Sequence, residues 1–223
     1  MILILHGWGQ EKASWQELAQ KLRVTEPTEI LELPSFGQEP QVDASWGVPE
    51  YTAWVKQKIL DQRWDNIILL GHSFGGRLSS YVASDQPTWL RAVILYGAPC
   101  LYRPQWDIRW KILLAKILKP LIPKSFRNNL LPEHLRQAEA LGLGKTFRHV
   151  VGFDQTDRLP RISVPTLLLW GARDYDVPLS IAREMQHLIS GAKLEILPDL
   201  GHNAHLENPF LFYGKIKSFV ENL

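Results

Sequence analysis

Six short apolar runs recur along the chain: ILIL at 2–5, EILEL at 29–33, NIILL at 66–70, AVILY at 92–96, TLLLW at 166–170 and KLEIL at 193–197. Most of them show little polar alternation, and strands of that kind must be covered on both faces. Parallel strands with helices on either side meet the requirement. Between the runs, the periodicity predicts helices over 14–22, 49–62, 75–84, 180–189 and 208–221. The first of these opens on SWQE, with Ser14 placed as an N-cap and Glu17 three residues on, as in a capping box. Strands alternating with helices define an α/β protein.

One segment interrupts the alternation. Residues 100–152 contain no clear strand, and Trp110, Leu113, Leu114, Ile117, Leu118 and Leu121 fall on one helical stripe, with Arg109, Lys116 and Lys119 across from it. This predicts a core made of 1–99 and 153–223, with 100–152 as a helical insertion over the sheet. The insertion carries ten Lys and Arg against three Asp and Glu, a net +7 in a chain whose total is +2, so the remainder is net negative.

With 223 residues and 45% hydrophobic content, the chain can bury one large core. A net charge of +2 without a dense Lys/Arg block gives no reason to expect nucleic-acid binding. Cys100 is the only cysteine, so no intrachain disulfide can form, which fits a reducing compartment. The apolar run at 2–5 is too short for a secretory signal, and no stretch approaches the roughly 20 apolar residues that span a bilayer. The expected location is the cytoplasm, without stable membrane insertion.

Chemistry concentrates at the ends of the apolar runs. GHSFGG at 71–76 follows NIILL and precedes a helical pattern, a strand–turn–helix setting in which G-x-S-x-G gains meaning. A serine in a turn can be satisfied by local backbone bonds, and the hydroxyl is a weak nucleophile, so the motif needs a base and a carboxylate to orient that base. The loop after TLLLW offers Asp174 and Asp176, and the loop after KLEILPDL offers His202 and His205. Their chain order, Ser then Asp then His, is that of hydrolases with a nucleophile elbow.

Five segments in order, LHGWG at 5–9, LPSFG at 33–37, GHSFGG at 71–76, GARDYDVP at 171–178 and GHNAHLENP at 201–209, resemble those of the α/β-hydrolase superfamily, in the style of its small carboxylesterases and lactonases. The resemblance implies Ser73 as nucleophile, Asp174 as orienting acid and His202 as general base. Asp174 fits the family spacing G-x-x-D-x-x-V-P whereas Asp176 does not, and His205 falls where a less critical histidine is common. It also implies an oxyanion hole from the backbone N–H groups of Trp8 and Phe74. His6 and His72 are then structural or pocket-wall residues. Trp106 and Trp110 are expected to border the substrate pocket, suiting a bulky apolar acyl or aromatic group.

No cofactor is implied. The pair His202-x-x-His205 lacks the H-E-x-x-H glutamate, and GKT at 144–146 has Glu139 where a phosphate loop would place its first glycine, so neither points to a metal or nucleotide site. The implied fold is an α/β hydrolase with a reduced, all-parallel sheet of about six strands and a small helical cap. The family's amino-terminal strand pair has no counterpart here, which leaves a sheet edge where a homodimer could form. The implied reaction is hydrolysis of carboxylic esters through an acyl-enzyme. Lactones, including acyl homoserine lactones, and thioesters require the same attack, and an acidic acyl-carrier protein would suit the basic insertion. A non-catalytic receptor for a small ligand is the competing reading from another class.

Overall fold

A computed structural model describes residues 1–43, 45–103 and 133–223. Within them lies a six-stranded sheet in the order β2-β1-β3-β4-β5-β6, formed by β1 (Ile2–Leu5), β2 (Thr28–Leu31), β3 (Ile67–His72), β4 (Leu90–Tyr96), β5 (Thr166–Gly171) and β6 (Lys193–Leu197). Every pairing is parallel. The central strands β1, β3 and β5 are buried at every position, as their lack of alternation requires.

Helices cover both faces: α1 (Gln16–Leu22), α2 (Val48–Asp61), α3 (Phe74–Ser84), α4 (Glu133–Ala140), α5 (Gly144–Val151), α6 (Leu179–Leu188), the one-turn α7 (Ala204–Glu207) and α8 (Pro209–Glu221). Two apolar layers result. One packs α2, α3 and α6 on Leu3, Leu5, Leu69, Leu95 and Leu168. The other packs α1 and α8 on Ile2, Ile4, Leu70, Ile94 and Leu169. Residues adjacent along a strand thus face opposite layers.

The helix predicted to begin at Ser14 starts differently. Lys12–Trp15 form a 3₁₀ turn and α1 begins at Gln16 without a side-chain cap. The Ser14 hydroxyl donates back to the Glu11 carbonyl at 2.7 Å, so the Ser14–Glu17 capping box does not form. Glu17 pairs instead with Lys21 one turn on.

At the sheet edges, β2 carries the exposed Glu29 and β6 the exposed Lys193, charges that oppose edge-to-edge pairing with another chain. Trp106, Trp110, Arg109, Lys116 and Lys119, singled out in the insertion, lie outside the described residues. Of the insertion's cations that are described, Arg103 pairs with Asp154 and Glu184, and Arg148 with Glu139.

Candidate active site

The carboxyl ends of the strands place the chemical groups. After β3 the chain turns at Ser73, whose φ of 49° and ψ of −110° lie in a region that costs a non-glycine residue about 1–3 kcal/mol. Surrounding contacts enforce this conformation. A Cβ at Gly75 would stand 2.1 Å from the Leu5 carbonyl oxygen, and one at Gly71 would stand 2.4 Å from that of Gly75. Only glycine lets α3 pack this closely on β1 and β3. The turn puts Ser73 at the start of α3, half-exposed, while its neighbours His72 and Phe74 are buried.

Asp174 follows β5 and is buried, whereas Asp176 is exposed. Asp174 Oδ1 accepts the N–H groups of Asp176 at 3.0 Å and Val177 at 2.8 Å. Its Oδ2 lies 2.7 Å from His202 Nδ1. The loop bonds fix the carboxylate, and the carboxylate fixes the ring. Of the two aspartates that the sequence offered, Asp174 is the one hydrogen-bonded to the histidine.

Ser73 and His202 line one cavity of about 420 Å³. Trp8, Phe74, Phe147, Val150 and Val177 form its apolar wall, and Gln10, Arg77, Gln137 and Asn203 add polar groups. Trp8 anchors the wall through edge contacts with Phe36, Phe74 and Phe147, ring centres 5.0–5.4 Å apart. Among the described residues, neither the Trp8 N–H nor the Phe74 N–H has an acceptor, and Phe74 is the first residue of α3. Both residues line the cavity that Ser73 also lines.

Three histidines near the site are buried, and His72 among them lines the cavity. His6 is held in one neutral form: Nδ1–H donates to the Gly7 carbonyl at 2.9 Å and Nε2 accepts the Leu33 N–H at 3.0 Å. Burial pushes its pKa down to about 4. His205 stacks on Trp15 with ring centres 4.0 Å apart, and neither of its nitrogens has a partner among the described residues; burial lowers its pKa to about 3. His72 is also driven well below the usual histidine range, first by burial and then by the neighbouring His202 and His205. Its Nε2 lies 3.0 Å from the His202 carbonyl oxygen, which also accepts the Tyr96 hydroxyl.

Arg77, one turn after Ser73, is buried, and its guanidinium donates to the Phe153 carbonyl at 2.7 Å and the Val151 carbonyl at 3.2 Å. It ties α3 to the end of α5, and burial brings its pKa down to about 10. Asp174, Asp176 and His202 form a group whose ligand atoms lie within 4.8 Å of one another. Both Asp174 oxygens and His202 Nδ1 already have protein partners.

Sequence reasoning passed over Gln10, Tyr96, Asn203 and Phe147. Tyr96 gave some signal, as a hydroxyl at the end of a buried strand that needs a partner. The others come together only through the fold.

Comparison with known proteins bears on the family and the fold. The model of the alpha/beta hydrolase family matches residues 2–214. A pimeloyl-[acyl-carrier protein] methyl ester esterase from Aeromonas salmonicida is 25% identical, over 98% of this chain and 94% of the relative. Among solved structures, a bromoperoxidase from Bacillus anthracis superimposes with a TM-score of 0.79 at 18% identity, covering 99% of this chain and 91% of that one. An esterase from Exiguobacterium antarcticum gives 0.76 at 22% identity, with 99% and 91% covered. With an all-parallel sheet, a strained serine turn after β3 and a family match running almost end to end, this chain belongs to the alpha/beta hydrolase family.

Proposed function

We propose that the protein is a serine hydrolase that cleaves carboxylic esters. The observation that carries this reading is the Asp174–His202 hydrogen bond of 2.7 Å, from a buried carboxylate to a ring that opens on the cavity Ser73 also lines. Ser73 attacks the ester carbonyl and His202 takes its proton. The oxyanion of the tetrahedral intermediate is held by the Trp8 and Phe74 N–H groups. His202 returns the proton to the leaving alcohol, and water activated by the same ring releases the acid from Ser73. Asp174 keeps the ring oriented and stabilises the imidazolium. Residues 100–152 act as a cap, and α5 supplies Phe147 and Val150 to the wall facing the substrate.

The test is hydrolysis of nitrophenyl acetate and butyrate by the purified protein. Ser73→Ala should lower kcat by about 10³-fold or more while the protein stays folded. Tight binding of a small ligand with neither turnover nor labelling by a fluorophosphonate would favour a receptor instead.

A second reading concerns the leaving partner. The relative from Aeromonas salmonicida is named for a carrier-protein-linked ester, and the insertion of this chain is rich in cations. An acidic carrier protein would approach such a surface by electrostatic steering. Charge reversal at Arg109, Lys116 and Lys119 should slow a carrier-linked ester and spare a small neutral one. Equal rates on both would remove this reading.

A further inference from the structure

Gln10 is not part of any motif, yet its amide sits where three loops of the site converge. Oε1 accepts the Gly7 N–H at 2.9 Å and the Trp15 indole N–H at 3.1 Å. Nε2 donates to Asn203 Oδ1 at 3.1 Å, across 193 residues of sequence. His72, beside Ser73, lies with Nδ1 3.0 Å from the same Oε1 and Nε2 3.0 Å from the His202 carbonyl oxygen, and its neutral ring donates its single N–H to one of these two acceptors. The oxyanion loop, the serine turn and the histidine loop are therefore joined through one side chain and its neighbour.

We propose that Gln10 is a positioning residue that fixes the Trp8 N–H as an oxyanion donor and holds that loop in register with the one carrying His202. The proposal rests on the hydrolase reading above. Trp8 N–H belongs to the Gly7–Trp8 peptide, and in a trans peptide it points opposite the Gly7 carbonyl. That carbonyl accepts His6 Nδ1–H at 2.9 Å and the Gln10 N–H at 3.2 Å. The preceding peptide plane is held by Gly7 N–H on Gln10 Oε1. The Gln10 side chain thus grips the plane before Gly7, the residue with the fewest steric limits on rotation, while its main-chain N–H and His6 hold the plane that carries the Trp8 N–H. Without the side-chain grip, the plane before Gly7 is free to turn and the loop can carry the donor away from the position where negative charge develops, and preorganisation is what gives such a donor its value. Through Asn203, the same amide sets the spacing between donor and base.

Gln10→Leu keeps the approximate size and removes both polar ends. Gln10→Glu keeps an acceptor for Gly7 and Trp15, and Asn203 can turn its amide to donate to the carboxylate. In the leucine variant kcat should fall about 10- to 100-fold with KM within about threefold. Affinity for a trifluoromethyl ketone, whose adduct with Ser73 carries the oxyanion, should fall by a similar factor. The glutamate variant should recover most of the loss on both readouts. A purely structural role would make kcat follow the thermal midpoint, without a matching loss of ketone affinity. An active wild type whose leucine variant keeps kcat, or whose glutamate variant loses as much as leucine, overturns this proposal alone. A wild type that neither hydrolyses esters nor binds the ketone overturns the hydrolase reading, and this proposal with it.

Discussion

Lowering the pH from 7 to 5 should unfold this protein far more readily than its surface charge suggests, and the buried histidines set the size of the effect. His6 and His205 have folded pKa values of about 4 and about 3, against about 6.5 in the unfolded chain. Below pH 6.5 the unfolded state therefore binds more protons than the folded one, and stability falls as the pH falls. The loss runs from about 6.5 down to each folded value, at up to about 1.4 kcal/mol per pH unit for each ring. Between pH 7 and pH 5 each of the two should remove about 1.9 kcal/mol, or roughly 4 kcal/mol together. His72, shifted in the same direction, adds to this. Asp43 and Asp154, whose pKa values are lowered, give up their contribution mainly near and below the carboxylate range around 4, so the upper window belongs to the histidines. A domain stable by about 5–15 kcal/mol would lose a large share of its margin. Urea unfolding at pH 7, 6 and 5 measures this, with the denaturant slope checked for constancy. His205→Phe keeps the stacking surface on Trp15 and removes two unpartnered nitrogens, so the loss between pH 7 and 5 should shrink by about 2 kcal/mol. A wild-type loss under about 1 kcal/mol, or an unchanged pH slope in the variant, would refute the linkage.

Two other perturbations separate the fold from the chemistry. Asp174→Asn should keep the thermal midpoint within a few degrees and lower kcat by about 10³- to 10⁴-fold at similar KM, because the ring loses its orienting charge; steady-state kinetics on a nitrophenyl ester gives the answer. Gly75→Ala should destabilise by about 3 kcal/mol or more in urea unfolding, since its Cβ meets main chain of β1 at 2.1 Å and no side chain can move aside.

The sheet was legible because its central strands are buried on both faces. Runs such as ILIL and TLLLW admit few other roles, and the strands at 2–5 and 193–197 form at those residues. The helix start at Ser14 was not legible: the same hydroxyl that could cap by accepting an N–H is equally able to donate to a carbonyl three residues back, and it does. Local context offered Ser73, two aspartates and two histidines in strand-end loops, and the choice of Asp174 and His202 among them came from the family resemblance. The family spacing set Asp174 apart from Asp176, and in the structure Asp174 accepts the Asp176 and Val177 N–H groups while Asp176 stays exposed. Gln10 and Asn203 were invisible for the opposite reason. A glutamine after a glycine loop and an asparagine after a histidine have no periodicity, and their meeting depends on strands in different parts of the chain placing two loops side by side.

The division of labour within the cavity has an evolutionary consequence. The groups proposed to react stand on strand ends, where a change of geometry disturbs the whole sheet, whereas Phe147 and Val150 come from α5, in the segment that leaves the sheet after β4 and rejoins it at β5. Mutation can reshape that outer wall, and with it the range of molecules admitted, without touching the inherited reaction centre. Descendants of such a chain can therefore diversify in diet while the machinery that breaks the bond stays the same.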